Sequence, residues 1–154
     1  MTNPSPNTPV SGPLRIALIG AGRHAQHHAR AILRCPGVQL VAVADPSDAA
    51  QAAMRDIVPG IGCFKTPEEL FASEKLHVVH IITPPATHAP IARMALKAGC
   101  HIYVEKPFTE SVEDAQQILD EASAKGLRVC AGHQLLYEPP TRVLTQYLRS
   151  IGRV

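Results

Sequence analysis

The sequence predicts an α/β fold: a doubly wound parallel sheet covered by helices on both faces, three layers in a single domain. Three observations predict it. Short apolar runs alternate with helical patterns from Leu14 almost to the last residue. The first apolar run breaks on a glycine-rich turn and enters a helix at once. The second run ends on an acid, Asp45. Alternating strands and helices imply parallel pairing, because each crossover needs a helix to return the chain.

The first strand is Leu14-Arg15-Ile16-Ala17-Leu18-Ile19, in which Arg15 is the one charge, as in a strand buried on both faces. Gly20-Ala21-Gly22-Arg23-His24-Ala25 follows. Gly20 permits a tight turn, and Gly22 lets the backbone approach a phosphate. Ala25 holds the third small position of G-x-G-x-x-[GA], where the helix lies against the strand. The first-turn amides of that helix lack internal partners and carry its positive dipole end, which suits a pyrophosphate. Glycine turns are common in themselves. Here Val38 to Ala44 forms a second apolar strand, and Asp45 arrives about 25 residues after Gly20, the strand–helix–strand spacing that puts an acid at an adenosine ribose. Together these read as a Rossmann-type dinucleotide site. A carboxylate at Asp45 accepts from ribose hydroxyls and repels a 2′-phosphate, and neither Pro46 nor Ser47 is an arginine, so NAD is expected over NADP. Asp45 can also cap the following helix, since Asp-Pro-Ser-Asp is good capping sequence.

Pro46 to Arg55 reads as an alanine-rich helix, and Gly60 to Phe64 as a short strand. Thr66-Pro67-Glu68-Glu69 is a capping box with proline at the first helical position. His77 to Ile82 is the fourth strand, where the chain crosses to the other half of the sheet. Thr83-Pro84-Pro85-Ala86-Thr87-His88 therefore sits at the mouth of the ligand crevice. A helix from Pro90 to Ala98 stops at Gly99. Strand five, His101-Ile102-Tyr103-Val104, runs straight into Glu105-Lys106-Pro107. Ionisable residues at the carboxyl end of a buried strand, beside a proline, mark the edge where such sheets gather function. Ser111 to Lys125 is a capped helix stopped by Gly126, and Leu127 to Ala131 is strand six. The last helix carries Val143, Leu144, Tyr147 and Leu148 on one apolar face, expected to stand exposed.

Residues 1–13 hold four prolines with Asn, Ser and Thr and no hydrophobic period, so a disordered tail is expected. They lack the basic-then-apolar order of a signal peptide, and no apolar run reaches membrane-span length; a cytoplasmic protein is expected. The net charge is +2 with scattered cations, aromatics are 4%, and tryptophan is absent, so there is no footprint for nucleic acid. The four cysteines (Cys35, Cys63, Cys100, Cys130) have no C-x-x-C spacing and read as buried free thiols. His24 and His28 lie one helical turn apart, as zinc ligands could, but no glutamate stands between them. A solvated helix face is the reading, and no metal is expected.

The glycine turn, Asp45, Thr83-Pro84-Pro85-Ala86-Thr87-His88 and above all Glu105-Lys106-Pro107 resemble the glucose–fructose oxidoreductase / inositol dehydrogenase / MocA family, over nearly everything from Leu14 to Val154. The resemblance implies an NAD(P)-dependent oxidoreductase acting on a sugar or polyol, and a cis peptide at Lys106-Pro107. It implies cofactor contacts from Gly20, Gly22, Arg23, His24, Ala25, Asp45, Thr83, Pro84, His88, Glu105 and Lys106. Family members run to more than twice this length. Residues 14–136 are therefore expected to be the nucleotide-binding domain and 137–154 a linker helix toward a substrate domain outside this chain. The full-length form is expected to be a homo-oligomer. Where the family often has arginine before an aromatic after strand six, Leu136 precedes Tyr137 here.

The implied chemistry moves hydride from a carbinol carbon to nicotinamide while the hydroxyl loses its proton. Lys106 is the candidate to bond that hydroxyl and share in proton removal. A free lysine titrates near 10.4, and burial beside a cation would lower it toward the useful range. Glu105 is its orienting partner. His88 either lines the nicotinamide pocket or is an ordinary helix-start polar residue. Other enzyme classes fail on particular residues. Ile19 replaces the acid that methyltransferases carry before the glycines, and no tyrosine has lysine four positions on, as short-chain dehydrogenases need. The alternative is a stand-alone NAD-binding sensor or scaffold without turnover.

Overall fold

The computed structural model describes residues 12–151; the expected tail falls outside the described residues except for Gly12 and Pro13. Six strands, β1 (Leu14–Ile19), β2 (Val38–Ala44), β3 (Gly62–Phe64), β4 (Val78–Ile81), β5 (His101–Val104) and β6 (Val129–Ala131), form one parallel sheet in the order β3-β2-β1-β4-β5-β6. The helices are α1 (Arg23–Ile32), α2 (Asp48–Ile57), α3 (Pro67–Ser73), α4 (His88–Lys97), α5 (Val112–Ala124) and α6 (Pro139–Ile151). No helix among the described residues is long and apolar enough to cross a membrane.

Alternate strand residues feed two cores, as a doubly covered sheet requires. Ile16, Leu18, Leu40 and Val43 pack with Ala25, Ala29 and Ile32 of α1 and Met54 of α2. Ala17, Ile19, Val79 and Ile81 face the other way, onto Leu70 of α3, Ala92 and Leu96 of α4, and Ile118 of α5. Small residues dominate the α1 contact, so helix and strand backbones lie close. That closeness carries the glycine turn over the end of β1.

Local chemistry sets the helix ends. Ser47, Thr66 and Ser111 each accept a backbone N–H of the first turn, from Ala50, Glu69 and Asp114. Ser47 rather than Asp45 is therefore the cap of α2, and the helix starts at Asp48 instead of Pro46. Glu69 completes the expected box one residue early, accepting from the Lys65 amide at 2.9 Å. α4 begins at His88, two residues before Pro90, because a 3₁₀ turn at Pro85–Thr87 leads into it. Proline is tolerated there, since first-turn amides have no helical acceptor. Gly99 and Gly126 follow α4 and α5 with φ of 79° and 66°, the left-handed stop expected of both.

The cysteines require a correction. All four are free, as expected, but only Cys100 is buried; Cys35 and Cys130 are exposed and Cys63 is half-buried. Cys63 and Cys130 sit on β3 and β6, the two edge strands, which have a neighbour on one side only. Cys35 lies in the turn after α1. Burial pushes the Cys100 thiol up to about 11, and its Sγ donates to the Leu76 carbonyl. A thiol reagent should therefore label Cys35 and Cys130 in the native protein and Cys100 only after denaturation. Peptide mass mapping after timed labelling checks this. Native labelling of Cys100 at the rate of Cys35 would contradict it.

α6 carries Val143, Leu144, Tyr147 and Leu148 with their side chains exposed, as expected of its apolar face. Leu135, Leu136 and Tyr137, in the 3₁₀ turn before it, are exposed as well.

Candidate functional site

The strand order reverses between β1 and β4, and the crevice of such sheets opens there, beyond the carboxyl ends of the strands. β1 runs directly into Gly20, whose amide donates to the Ala44 carbonyl at 2.8 Å. Gly20 has a φ of 96°, and a Cβ there would stand 2.5 Å from the Ile82 carbonyl oxygen. Both facts require glycine. Gly22 differs: its φ is −63°, and a Cβ on it would meet nothing within 4 Å. No fold contact requires glycine at 22, which leaves open space over the start of α1. That helix has no side-chain cap and no acid in its first turn, so its amides and dipole face the opening. A phosphate suits such a place.

Asp45 closes the turn from the side of β2. One carboxylate oxygen accepts from the Ala21 amide at 2.7 Å and the other from the Ser47 amide at 2.8 Å. A cleft of about 400 Å³ runs past Gly20, Gly22, Asp45, Thr83 and Pro84, five of the residues anticipated, with Ile82 as an apolar wall. Two further residues organise the acid end and escaped the sequence reading. Gln51 is buried, and its side-chain amide donates to the Asp45 and Phe64 carbonyls at 2.7 and 2.9 Å, tying the ends of β2 and β3 together. Lys65 lines the cleft, paired with Asp48 and donating to the Pro46 carbonyl. A glutamine inside an alanine-rich helix was the available signal for the first; Lys65 had none.

Opposite the glycine turn, Glu105 leaves β5 buried, with 5% of its surface exposed. Its Oε2 accepts from the Lys106 amide at 3.1 Å. Four groups face its Oε1: His24 Nε2 at 3.1 Å, His28 Nε2 at 3.2 Å, the Tyr103 hydroxyl at 3.2 Å and Gln134 Nε2 at 3.1 Å. Burial raises the carboxyl, but the Lys106 amide and the two histidines outweigh it and hold Glu105 below the usual range. Gly132 makes room: a Cβ there would lie 2.8 Å from the Tyr103 hydroxyl and 3.2 Å from Glu105 Cδ.

His28 corrects the expectation of a solvated helix face. Its side chain is only 14% exposed, packed edge-on against His80 and Tyr103 with ring centroids 5.3 and 5.1 Å away. Its Nδ1 lies 3.1 Å from Nδ1 of His80, so one ring donates and the other accepts. Burial, then the nearby His28, holds His80 down to about 4, which keeps it neutral. Burial also lowers His28, against the pull of Glu105. His80 and Tyr103 are register partners on β4 and β5, and polar residues in the middle of apolar strands were the signal for this cluster.

The remaining anticipated residues divide clearly. Ala25 is fully buried in the helix–sheet core, where its small side chain serves the packing of α1 on the sheet. Arg23 and Lys106 are exposed, and the Lys106–Pro107 peptide is cis. His88 is the first residue of α4, as the plainer of its two readings had it, but it is no solvated polar residue. It is 1% exposed, with its ring nitrogens 2.8 Å from the Pro107 and Thr83 carbonyls. It braces the two loops from beneath instead of lining the cleft.

A parallel sheet reversing at β1/β4, a glycine turn with an open approach, an uncapped helix start and an acid closing over it define a dinucleotide-binding Rossmann domain. The sequence matches the GFO_IDH_MocA family, described as "Oxidoreductase family, NAD-binding Rossmann fold", over residues 14–133, and the chain belongs to it. It is 36% identical over 118 residues to inositol 2-dehydrogenase of Agrobacterium fabrum, covering 75% of this chain and 35% of that one. It is 31% identical over 139 residues to UDP-N-acetylglucosamine 3-dehydrogenase of Acidithiobacillus ferrooxidans, covering 90% and 42%. The crystal structure of GenD2 from gentamicin A biosynthesis in complex with NAD superposes with a TM-score of 0.79 at 27% identity, covering 90% of this chain and 39% of that one. The chain thus spans 35 to 42% of the length of the two curated relatives.

Proposed function

We propose that this chain is the nucleotide-binding part of an NAD-dependent oxidoreductase that moves hydride between a sugar or polyol hydroxyl and nicotinamide. Residues 14–136 form the binding domain, and 137–154 lead toward a substrate domain. The observation that carries the reading is the turn itself: Gly22 opens onto uncapped helix amides while Asp45 is held across them. The backbone around Gly22 would hold the two phosphates. Asp45 has accepting lone pairs beyond those used by Ala21 and Ser47, and these would take ribose hydroxyls. Its negative charge disfavours a 2′-phosphate, and Lys65, the nearby cation, is already paired with Asp48, so NAD is preferred over NADP. Thr83 and Pro84 would border the nicotinamide half.

Bound nicotinamide supplies the hydride acceptor. Lys106 would present its neutral amine to the substrate hydroxyl and share in taking the proton, becoming an ammonium. Glu105 contributes by position: its Oε2 grips the Lys106 amide, fixing where the lysine leaves the strand. The relatives' names support a hydroxyl substrate on a ring polyol or sugar. The full-length form would be a cytoplasmic homo-oligomer.

The test is Lys106→Ala in the longer enzyme containing this chain. Turnover should fall tenfold or more with NADH affinity little changed, as loss of a proton-handling group requires. Turnover within threefold of the unmodified enzyme would contradict the role.

A further inference from the structure

Outside the cleft, the cluster at Glu105 has the makings of a second site. His24 and His28 are four residues apart on α1, so both rings project from one helix face. Glu105 meets them from the end of β5. We propose that His24 Nε2, His28 Nε2 and a Glu105 carboxylate oxygen form a binding site for a divalent d-block cation of the zinc type. The three donor atoms lie within 4.8 Å of one another. Two edges of their triangle, 3.1 and 3.2 Å, are close to the separation of about 3.3 Å between neighbouring ligands of a tetrahedral ion with 2.0–2.1 Å bonds. A cation between them needs only a small outward shift of each ring.

The supporting shell is also in place. A ligating histidine normally has its second ring nitrogen held, and His28 Nδ1 already faces His80 Nδ1 at 3.1 Å. The carboxylate is fixed by the Lys106 amide on Oε2 and by the Tyr103 hydroxyl on Oε1. His24, with a side chain 54% exposed, gives solvent access and leaves further coordination positions to water. Two imidazoles and one carboxylate are the donor set of zinc and its neighbours; magnesium and calcium prefer all-oxygen sites. Four donors now converge on the single oxygen Oε1 at 3.1–3.2 Å, longer than the 2.7–2.9 Å of a well-made charged hydrogen bond. Crowding of that kind is relieved when a cation replaces two of the N–H groups.

The site borders the dinucleotide cleft, yet the inference does not rest on nucleotide binding, because metal affinity is read with no nucleotide present. The measurement uses the tag-free 154-residue chain with Cys35→Ser and Cys130→Ser, which remove the exposed thiols as competing ligands. Zn²⁺ is titrated calorimetrically, and Co²⁺ is followed by its visible ligand-field absorption. One zinc per chain is expected, with an intense Co²⁺ band typical of low coordination number. His24→Gln and, separately, Glu105→Gln should weaken zinc at least tenfold. His27→Gln, on the exposed side of the same helix, should change it less than twofold, and Mg²⁺ should not bind. Circular dichroism establishes that each variant is folded; should Glu105→Gln unfold, the half-exposed His24 still carries the comparison. No saturable zinc binding, equal losses in His24→Gln and His27→Gln, or a Co²⁺ spectrum like that of the aqueous ion would each overturn the proposal.

Discussion

Gly22→Val should fold like the unmodified chain and bind NADH at least a hundredfold more weakly. The two halves of that outcome come from the same measurement of space. The backbone at Gly22 has a φ of −63° and ψ of −177°, a conformation any residue adopts, and nothing lies within 4 Å of an added Cβ. Folding therefore loses at most a small helix-start preference, about 1 kcal/mol, or a few degrees of melting temperature. The open volume, however, is the approach to the α1 amides. Valine fills it and holds the phosphates away from donors that act only at hydrogen-bonding distance. A hundredfold loss corresponds to about 2.7 kcal/mol, comparable to one or two charge-assisted hydrogen bonds. Thermal melting with calorimetric NADH titration measures both halves. Unchanged affinity in a folded Gly22→Val protein would remove the phosphates from this turn.

Gly20→Ala should fail in the opposite way, at the level of stability. The residue has a φ of 96°, and its Cβ would come within 2.5 Å of Ile82 O and 2.9 Å of Ile82 C. Those are backbone atoms of the segment that leaves β4, itself anchored by the Ile82 amide on the Ile19 carbonyl at 2.8 Å. Nothing flexible can move aside. The left-handed backbone strain costs about 1–3 kcal/mol, and parting β1 from β4 adds to it. A total of about 3 kcal/mol or more is a large share of the 5–15 kcal/mol that holds a domain together. Urea unfolding should show the midpoint falling with the slope unchanged. A variant as stable as the parent would mean that the β1–β4 contact is looser than described. Two glycines two positions apart in one motif thus serve different ends, one the fold and the other the ligand.

That division was only partly legible beforehand. The strands could be read because a sheet covered on both faces needs continuous apolar runs, and the starts of α3 and α5 because Thr66 and Ser111 announce caps by residue type; at α2 the competing cap Asp45 hid Ser47. The glycine turn and Asp45 could be read because their spacing is set by local geometry, one strand, one helix and one strand. Features created by distant chain segments meeting left weaker traces. Nothing near Cys130 or Cys63 in sequence says that β6 and β3 are edge strands, so the thiols seemed buried. His28 seemed solvated because the residues between it and His24, Ala25-Gln26-His27, include no glutamate to mark a metal motif. Its burial comes from His80 and Tyr103, contributed by strands 52 and 75 residues away in the chain. His88 was placed at the mouth of the crevice, lining the pocket or starting the helix, because it closes the loop after β4; its burial comes from the Pro107 and Thr83 carbonyls on either side of its ring.

The central claim, a dinucleotide held by its phosphates on the start of α1 and by its ribose on Asp45, is tested most directly by titrating NADH and NADPH into this chain by isothermal calorimetry. The account predicts saturable heat with NADH at sub-millimolar concentration, NADPH weaker by about tenfold or more, and loss of that discrimination in Asp45→Ala. No heat with NADH at millimolar concentration from a folded protein, or NADPH bound as tightly as NADH by the unmodified chain, would contradict it.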